Sequence, residues 1–418
     1  MRNNLVTYLD QNNLFNTTQH AFRKGRSCLS QLLAHYDEIL SLIENGLNVD
    51  VVYLDFAKAF DKVDIKKVLY KMKCLGVEGK LYNWIESFLL NRTQTVVVEG
   101  YSSTSIPVKS GVPQGSVLGP LIFIILMTDI DEELMYSLLK SFADDTRVMK
   151  GVLNVRETSQ IQGDLFNVYD WAESNNMEFN SLKFEILRYG ADGALTYLTS
   201  IGTIIYEKDS LKDLGIIMSN DGSFTEHVNH VVDKAKTQMS SILRNFKSRS
   251  LNHMLCLWKS IVVPRLEYCS QLWTPTKRGD IQKLEMLQKT ITRKINGLSH
   301  LNYWDRLKRC GIFSLQRRRE RYQIIYVWKI LEELVPSLEN VKRFSNFSDR
   351  GGRTCTVPSV NRNAPKKIQV FLLMVRGFSM YSPRNSGTSL IVLYLSLKQI
   401  LTDFLNLFLT NRLYLAIP

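Results

Sequence analysis

An apolar run near residue 50 predicts a buried strand. Residues 49–56 are VDVVYLDF, which is β-branched and apolar, with Asp50 and Asp55 as the only charges. A short continuous run of this kind is typical of a strand buried on both faces. Residues 176–189 and 211–218 contain further strand-like runs.

Apolar positions three and four residues apart predict amphipathic helices. Residues 64–75 have this spacing, and Asp64 is placed to cap the start of the helix while Gly76 is placed to end it. The same spacing predicts helices over residues 80–90 and 160–174.

Two hairpins are also predicted. Residues 93–98 and 105–108 alternate in the manner of paired strands around the turn sequence Glu99-Gly100. Residues 138–150 indicate a strand, a tight turn and a second strand, with Asp144-Asp145 at the turn. Both carboxylates of this pair are therefore expected at the end of a hairpin.

After Thr225 the pattern changes to long helices with basic faces. These helices are predicted over residues 227–249, 253–268, 281–296 and 316–334. The chain is polar and basic after residue 345, and it becomes rich in Leu and Phe after about Phe371. We therefore divide the sequence into three parts, residues 1–220, 221–340 and 341–418.

The composition adds a basic balance to this picture. The 418 residues include 53 Lys and Arg against 40 Asp and Glu, which gives a net charge of +13. Basic charge favours a polyanionic partner, because neutralised phosphates release condensed counterions. Charge that serves only solubility explains the composition equally well.

The sequence argues against a structural zinc site, a signal peptide and a transmembrane segment. The six cysteines form no CxxC pair, so we expect free thiols, with buried packing as the default role, and no structural zinc site. The N-terminus lacks an apolar stretch of signal-peptide length. Residues 389–409 are apolar-rich but are interrupted by Lys398 and Asp403, so no transmembrane segment is predicted.

Three carboxylates are candidates for holding metal ions. Asp55 ends the buried strand, where a charge is costly unless a cation offsets it. Asp144 and Asp145 would repel each other, and a metal ion would reverse that repulsion. Nucleotide transfer needs such carboxylates from separate segments around two divalent ions. Considered separately, Asp55 is equally well explained as a surface residue at a strand end, and Asp144-Asp145 as an ordinary Asp-rich turn.

The loop that precedes residues 121–130 is a candidate ligand site. Gly111 and Gly115 would let the backbone approach a flat ligand, and Gln114 can bond to a sugar, base or phosphate. An ordinary Gly/Pro turn is the alternative. The apolar run at 121–130 predicts a buried helix that would fix this loop.

Together these segments resemble the motifs of reverse transcriptases. Residues 53–64 (YLDFAKAFDKVD) resemble the family's A motif. Residues 110–130 (SGVPQGSVLGPLIFIILMTDI) resemble the B motif in the form found in non-LTR retrotransposons and group II introns. Residues 142–148 (FADDTRV) resemble the C motif, and the three occur in the family's order and spacing.

Weaker resemblances extend on both sides. Residues 19–33 are similar to the QxGFRxGRS segment, with Ala21 in place of the usual Gly. Residues 175–190 are similar to the D motif, and residues 211–218 to the E motif, or primer grip. The basic helical region, including residues 261–273, is similar to the region after the polymerase in jockey-like elements.

The resemblance implies an α+β fold, a right-hand polymerase. Residues 1–220 would form partial fingers and a palm with an antiparallel sheet. Residues 221–340 would form an α-helical thumb and basic helical region, and residues 341–418 a basic, partly irregular tail. The implied activity is that of an RNA-directed DNA polymerase, and its implied cofactor is a pair of Mg²⁺ ions, with Mn²⁺ as a substitute.

The resemblance also implies roles at the catalytic centre. Asp55 and Asp144 would hold both metal ions, Asp145 would assist, and the Phe56 carbonyl would complete a metal shell. Lys183 matches the D-motif lysine, a general acid for the pyrophosphate, although a surface lysine is nearly as good an explanation.

Further residues would bind the nucleotide and the nucleic acids. Phe60 matches an aromatic steric gate against the ribose 2′-hydroxyl, with a core Phe as the alternative, and Gln114 and Gly115 would sit near the incoming nucleotide. Arg23 and Arg26 would contact the template or phosphates. The primer grip would contribute three residues: Lys212, Leu214 and Gly215.

The implied partners are an RNA template, a DNA primer and deoxynucleoside triphosphates, in the nucleus and not at a membrane; protein partners are not indicated. Five basic residues of the first long helix would follow the primer–template backbone, or form a solvated face: Lys234, Lys236, Arg244, Lys247 and Arg249. The run Arg317 to Arg321 would bind RNA or cap a helix bundle.

The two ends of the chain depart from the family pattern. Few residues precede Gln19, where the family's first fingers motifs would lie, so an N-terminally truncated chain is expected. The tail after about Phe371 fits a shifted reading frame. There are two alternatives to an active polymerase. One is a polymerase fold that binds RNA or primer duplex without polymerising, and the other is a fragment with no selected role.

Overall fold

The protein, described from a computed structural model, contains two compact units, Met1–His227 and Val228–Pro418. The structure describes residues 1–190 and 196–336. The first unit mixes helices with a sheet, which confirms the α+β class. The expectations for the polar, basic segment after residue 345 and the tail after Phe371 lie outside the described residues.

The strands found within residues 1–190 and 196–336 all belong to the first unit. They are β1 (Asn48–Leu54), β2 (Thr93–Gln94), β3 (Val97–Val98), β4 (Tyr101–Ser102), β5 (Ile106–Pro107), β6 (Leu138–Phe142), β7 (Asp145–Val152), β8 (Glu185–Tyr189), β9 (Tyr197–Leu198), β10 (Ile204–Lys208), β11 (Ser210–Asp213) and β12 (Ile216–Ser219). Six of them form the main sheet in the order β6-β7-β1-β8-β10-β9.

The main sheet is antiparallel except at one pair. β1 pairs antiparallel with β7 on one side and β8 on the other. β10 lies parallel to β8, because β9 turns the chain back before β10 forms. The predicted antiparallel sheet is therefore correct for every neighbouring pair but β8 and β10.

In the described part of the first unit, seven α-helices accompany the strands. They are α1 (Arg2–Gln11), α2 (Cys28–Glu44), α3 (Ala59–Lys62), α4 (Ile65–Cys74), α5 (Gly79–Leu89), α6 (Gly119–Leu126) and α7 (Val155–Ser174). The predicted helices α4, α5, α6 and α7 are confirmed. Asp64 caps α4 as expected, because its Oδ1 accepts hydrogen bonds from the amides of Lys66 and Lys67 at 2.8 and 3.0 Å.

Helix α6 lies at the centre of the core. Its side chains from Leu121 to Leu126 are all buried, and it packs against α4. Burial on all faces explains why its sequence has no polar stripe. The same core includes Val52 and Leu54 of β1, so the helix and the strand before Asp55 are held in one apolar cluster.

Two smaller hairpins lie outside the main sheet. β2 pairs with β5 and β3 with β4, and Glu99 and Gly100 turn the chain with φ of 49° and 85°. This confirms the predicted hairpin around these two residues. β11 and β12 form a separate hairpin whose turn residues, Leu214 and Gly215, have φ of 43° and 87°. Positive φ at both central residues is typical of a tight two-residue hairpin.

The hairpin of β11 and β12 is anchored through its last residue before the turn. Asp213 forms an ion pair with Arg147 of β7, and both side chains are buried. The Arg147 guanidinium also lies 5.9 Å from the centre of the Tyr53 ring on β1. This pair therefore connects the hairpin to two strands of the main sheet.

The second unit is helical in its described part. With α8 (Thr225–Asn245), which begins just before the boundary, its helices are α9 (Leu251–Leu257), α10 (Val263–Glu267), α11 (Ser270–Trp273), α12 (Arg278–Arg293), α13 (Tyr303–Cys310) and α14 (Leu315–Leu331). The four predicted long helices are confirmed, with one interruption. A π-helical turn at Trp258–Val262 separates α9 from α10, where Pro264 lacks the amide that a continuous helix needs.

The arginine run of α14 is largely used inside the second unit. Arg318 pairs with Glu267, with its Nη2 2.8 Å from Oε2. Arg319 is buried, donates to the Leu266 carbonyl at 3.1 Å and lies 5.2 Å from the Trp273 ring centre. These two residues support the bundle-capping alternative over RNA binding.

No helix within residues 1–190 and 196–336 is long and apolar enough to span a membrane. Five cysteines of the described part are free thiols, of which Cys269 and Cys310 are buried while Cys74 and Cys256 are exposed. The prediction of buried packing is therefore correct for Cys269 and Cys310 and wrong for Cys74 and Cys256.

The Gly-rich loop before α6 is pressed against α3. The Gly111 amide donates to the Val63 carbonyl at 2.8 Å, and the Val112 amide donates to the Phe60 carbonyl at 2.9 Å. Gly111 has φ of 84°, and a Cβ placed on it would lie 2.7 Å from the Asp61 carbonyl oxygen. Both its conformation and its close approach therefore require glycine.

Gly111→Ala and Gly115→Ala separate these two requirements. Gly115 has φ of 78° but open space where a Cβ would be. We expect about 1 kcal/mol of destabilisation from Gly115→Ala, for its backbone conformation, and about 3 kcal/mol from Gly111→Ala, which adds the collision. Urea denaturation followed by circular dichroism measures both. Equal losses would contradict the close packing of the loop on α3.

Candidate active site

Strand pairing brings Asp55 beside the hairpin that carries Asp144 and Asp145. β1 and β7 pair antiparallel up to the last residue of β1, so Asp55 after β1 and Asp145 at the start of β7 lie at the same end of the sheet. Asp144 lies with Ala143 in the two-residue turn between β6 and β7. Three carboxylates from two segments therefore meet at one end of the sheet.

These carboxylates repel one another in a partly buried setting. Burial raises the pKa of Asp144, and the Asp55 carboxylate raises it further. Burial also raises the pKa of Asp145, followed by the Asp144 carboxylate, while Arg147 lowers it. A nearby cation would offset this repulsion and keep the carboxyl groups charged.

The donor set fits a hard divalent cation that keeps other ligands. Carboxylate and carbonyl oxygens are what Mg²⁺ prefers, together with water and substrate phosphate. In the part of the chain that the structure describes, no group of three or more His, Cys, Asp or Glu side chains is close enough to hold a metal ion. An ion at Asp55 and Asp144 would therefore need further oxygen ligands from outside these side chains.

The predicted D-motif segment pairs with the residues around Asp55. The Asn180 amide donates to the Asp55 carbonyl at 2.7 Å, and the Ala57 amide donates to the Glu178 carbonyl at 2.8 Å. The Phe56 side chain is buried and stacks on Phe179 with 4.2 Å between ring centres. The Phe56 side chain is therefore part of the core, so a metal role for this residue would fall to its backbone carbonyl.

This pairing explains why the strand predicted over residues 176–189 is too long. Asn176 has φ of 55°, and the segment makes a single bridge at Phe179 before a 3₁₀ turn at Ser181–Lys183. The strand proper begins only at Glu185. The turn directs Lys183 towards the carboxylates, and its Nζ lies 3.0 Å from Asp55 Oδ2.

Phe60 packs at the edge of the core. Its ring stacks on Phe123 of α6, with 4.5 Å between ring centres. Phe60 is only partly buried, so the ring has one face on the core and retains some exposed surface. That position is compatible with both a steric gate and a core Phe.

The loop side chain Gln114 binds Asp61, a residue that the sequence patterns did not single out. Gln114 Nε2 donates to Asp61 Oδ1 at 2.6 Å, and Ser110 Oγ donates to the Asp61 carbonyl at 3.0 Å. Asp61 lies in α3, six residues after Asp55. Its position in the run FDKVD was the available signal. Gly115 is beside this contact, in the left-handed region.

Arg23 and Arg26 have partners within the first unit. Arg23 donates to the Asn16 carbonyl at 2.8 Å and to Asp10 at 3.1 Å. Arg26 donates to the carbonyls of Thr17 and Gln19. Burial, and after it the Arg23 charge, lower the pKa of Arg26 to about 10. Any contact to a template would use their remaining N–H groups.

Gln19 is a second residue that the sequence patterns missed. Its side chain is buried and binds the backbone of Ala143 in the turn beside Asp144. It opens the segment of residues 19–33 that resembles a family motif, which was the only signal for it in the sequence.

The predicted primer-binding residues lie on the β11–β12 hairpin. Lys212 is exposed on β11, and Leu214 and Gly215 form its turn. The buried pair of Arg147 and Asp213 ties this hairpin to β7. Of the five basic residues predicted to follow the primer–template backbone, Lys234, Lys236 and Arg244 lie on α8 and are exposed. Lys247, which is exposed, and Arg249, which is partly buried, follow the end of α8 at Asn245, so the predicted helix is too long there.

The mixed sheet, with carboxylates at the ends of β1 and β7, is the arrangement expected of a palm-type polymerase domain. The sequence profile of the reverse transcriptase (RNA-dependent DNA polymerase) family matches residues 1–218. The chain belongs to the reverse transcriptase family.

Two similar proteins, both RNA-directed DNA polymerases of a mobile element, support this assignment. The chain is 30% identical over 309 residues to the RNA-directed DNA polymerase from mobile element jockey of Drosophila melanogaster, covering 71% of this chain and 33% of that protein. It is 28% identical over 291 residues to the jockey polymerase of Drosophila funebris, covering 67% and 32%. The resemblance to jockey-like non-LTR elements is confirmed, and the chain spans about a third of the length of these relatives.

A telomerase from Candida albicans, solved with a fragment of telomeric RNA, has a TM-score of 0.44 to this chain. It is 12% identical and covers 74% of this chain and 56% of that chain. That score is too low to bear on the site.

Metal binding tests the carboxylate cluster without requiring activity. We expect Asp55→Asn and Asp144→Asn each to weaken Mn²⁺ binding by at least about tenfold, because each removes a charged ligand. Electron paramagnetic resonance of free Mn²⁺ measures this. Asp170→Asn, at an exposed position on α7, is the control and should bind as the parent does. Unchanged binding in both site variants would contradict the cluster.

Proposed function

We propose that this chain is the polymerase core of a jockey-like non-LTR retrotransposon, and that it extends a primer 3′ end by copying RNA into DNA. The observation that carries the proposal is the meeting of Asp55 and Asp144 at one end of the sheet, from segments that follow the family pattern. Fingers with palm would occupy residues 1–220 and a helical thumb residues 221–340.

The chemistry is a nucleotidyl transfer that needs two divalent ions, which would activate the 3′-hydroxyl and neutralise the pyrophosphate. Asp55 and Asp144 would hold Mg²⁺ or Mn²⁺, with Asp145 assisting, and the Phe56 carbonyl, water and substrate phosphate would supply the further oxygen ligands. The chain's own contribution is mainly positioning, because the protein forms no bond to the substrate.

Lys183 would protonate the leaving pyrophosphate. In the structure it pairs with Asp55, and both side chains are substantially exposed. A pair this exposed contributes at most about 1 kcal/mol. Lys183 can therefore leave Asp55 and reach a phosphate at little cost, while the 3₁₀ turn keeps it near the site.

The incoming nucleotide would lie beside the surface that α3 forms with the loop before α6. Phe60 would exclude the ribose 2′-hydroxyl, and Gln114 and Gly115 would contact the nucleotide or template base. The hydrogen bond between Gln114 and Asp61 supports this by fixing the loop against α3.

The nucleic acids would take the surfaces around this site. Arg23 and Arg26 would contact the RNA template, and the hairpin turn at Leu214 and Gly215, with Lys212, would support the DNA primer. A chromosomal target would place the protein in the nucleus.

Primer extension tests the proposal. The parent chain should extend oligo(dT) on poly(rA) with dTTP and Mg²⁺, and Asp144→Asn should lower the rate by at least about 100-fold. Asp170→Asn is the surface control. Extension by Asp144→Asn at the parent rate would refute the metal assignment. Duplex binding without extension by the parent would favour the non-polymerising alternative.

Sugar selection tests Phe60 separately. We expect Phe60→Ala to raise ribonucleotide incorporation relative to deoxyribonucleotide by at least about tenfold, because the 2′-hydroxyl loses its obstacle. Phe123→Leu is the matched control, since it removes the stacking partner and leaves the Phe60 ring. Competition between rUTP and dTTP in single-turnover extension measures the ratio. An equal change in both variants would indicate a core role for Phe60.

A further inference from the structure

The Gln19 side chain clamps the turn that carries Asp144. Its Oε1 accepts hydrogen bonds from the amides of Ala143 at 2.8 Å and Ala21 at 2.9 Å. Its Nε2 donates to the Ala143 carbonyl at 3.3 Å and to Ser141 Oγ at 3.2 Å. One side chain amide, 1% exposed, therefore binds both the N–H and the C=O of the residue before Asp144.

The turn needs such support because of its backbone. Ala143 has φ of 55°, a conformation that a residue with a Cβ rarely adopts. Ser141 is held by the same segment, since its carbonyl accepts from the His20 amide at 3.3 Å and its amide donates to the Thr18 carbonyl at 3.4 Å. Residues 18–20 thus lie along β6 and bring Gln19 to the turn.

We propose that Gln19 is a positioning residue for the polymerase reaction. By fixing the Ala143 peptide it sets the direction of Asp144 relative to Asp55, and so the geometry in which both carboxylates bind metal ions. Gln19 acts through Ala143 and does not contact the reacting atoms. This inference rests on the proposed function.

A buried amide that only stabilises the fold is the competing explanation, and the chain offers a matched control for it. Gln162 of α7 makes the same kind of clamp on Leu198 of β9, with Nε2 2.9 Å from the carbonyl oxygen and Oε1 2.7 Å from the amide. β9 and β6 form opposite edges of the main sheet. Gln162→Met therefore removes an equivalent pair of bonds far from the carboxylates, at a less buried position.

The experiment compares Gln19→Met with Gln162→Met in the full chain. For Gln19→Met we expect kcat for primer extension to fall and the Kd for Mn²⁺ to rise, each by about 10- to 100-fold, with KM for primer–template little changed. Amide hydrogen exchange at residues 143–145 should accelerate in this variant alone. Gln162→Met should match the parent in kcat and Mn²⁺ affinity.

A milder variant covers the case in which Gln19→Met does not fold, as judged by circular dichroism. Ser141→Ala removes only the acceptor of one Gln19 hydrogen bond. It should lower Mn²⁺ affinity by a factor of a few and accelerate exchange at residues 143–145.

The outcomes separate the inference from the proposed function. Parent-like kcat, Mn²⁺ affinity and turn exchange in Gln19→Met would overturn the positioning role, as would equal losses in Gln162→Met. Parent-like metal affinity and exchange in Ser141→Ala would overturn it if Gln19→Met is unfolded. If the parent extends no primer, the proposed function fails alone, and Mn²⁺ affinity with turn exchange still decides the role of Gln19.

Discussion

The antiparallel pairing of β1 with β7 is the interaction on which the first unit depends. It places Asp55 at the end of one strand beside Asp145 at the start of the other. A slip of one residue would reverse the face of every side chain on one strand. Arg147, which is buried on β7, would then turn to the opposite face. Core packing and the carboxylate cluster therefore require the same register.

Buried charges in the sheet are paired across strands, which adds to the specification of this register. Asp50 of β1 binds Arg188 of β8, with 2.8 Å between Oδ1 and Nε, and accepts a hydrogen bond from Tyr197 Oη at 2.7 Å. A charge in a buried strand is costly without such partners. Breaking the alignment of β1 with β8 would leave Asp50 and Arg188 buried and apart.

Local patterns predicted most elements, and the family resemblance predicted Asp55, Asp144 and Lys183 as residues of one site. Strand β1, helix α6 and the hairpin of β6 and β7 are each encoded in runs of a few residues whose periodicity is visible. The contacts of Gln19 and Asp61 could not be predicted in this way, because each depends on a partner far along the chain. The parallel pairing of β10 with β8 likewise depends on the direction in which β9 runs. Pairings of this kind are set by tertiary packing, which leaves no local periodicity.

The buried ion pair between Arg147 and Asp213 would make the attachment of the β11–β12 hairpin less sensitive to salt than nucleic-acid binding. Both side chains are buried, so dissolved ions screen their attraction far less than they screen surface charges. Nucleic-acid binding by exposed Lys and Arg weakens steeply as ionic strength rises. If the chain binds a primer–template duplex through such residues, as proposed, added salt would release the duplex while the β11–β12 hairpin stays attached to β7. Ionic strength would then alter the fraction of the protein that is bound to nucleic acid, and it would leave the internal geometry of the first unit intact.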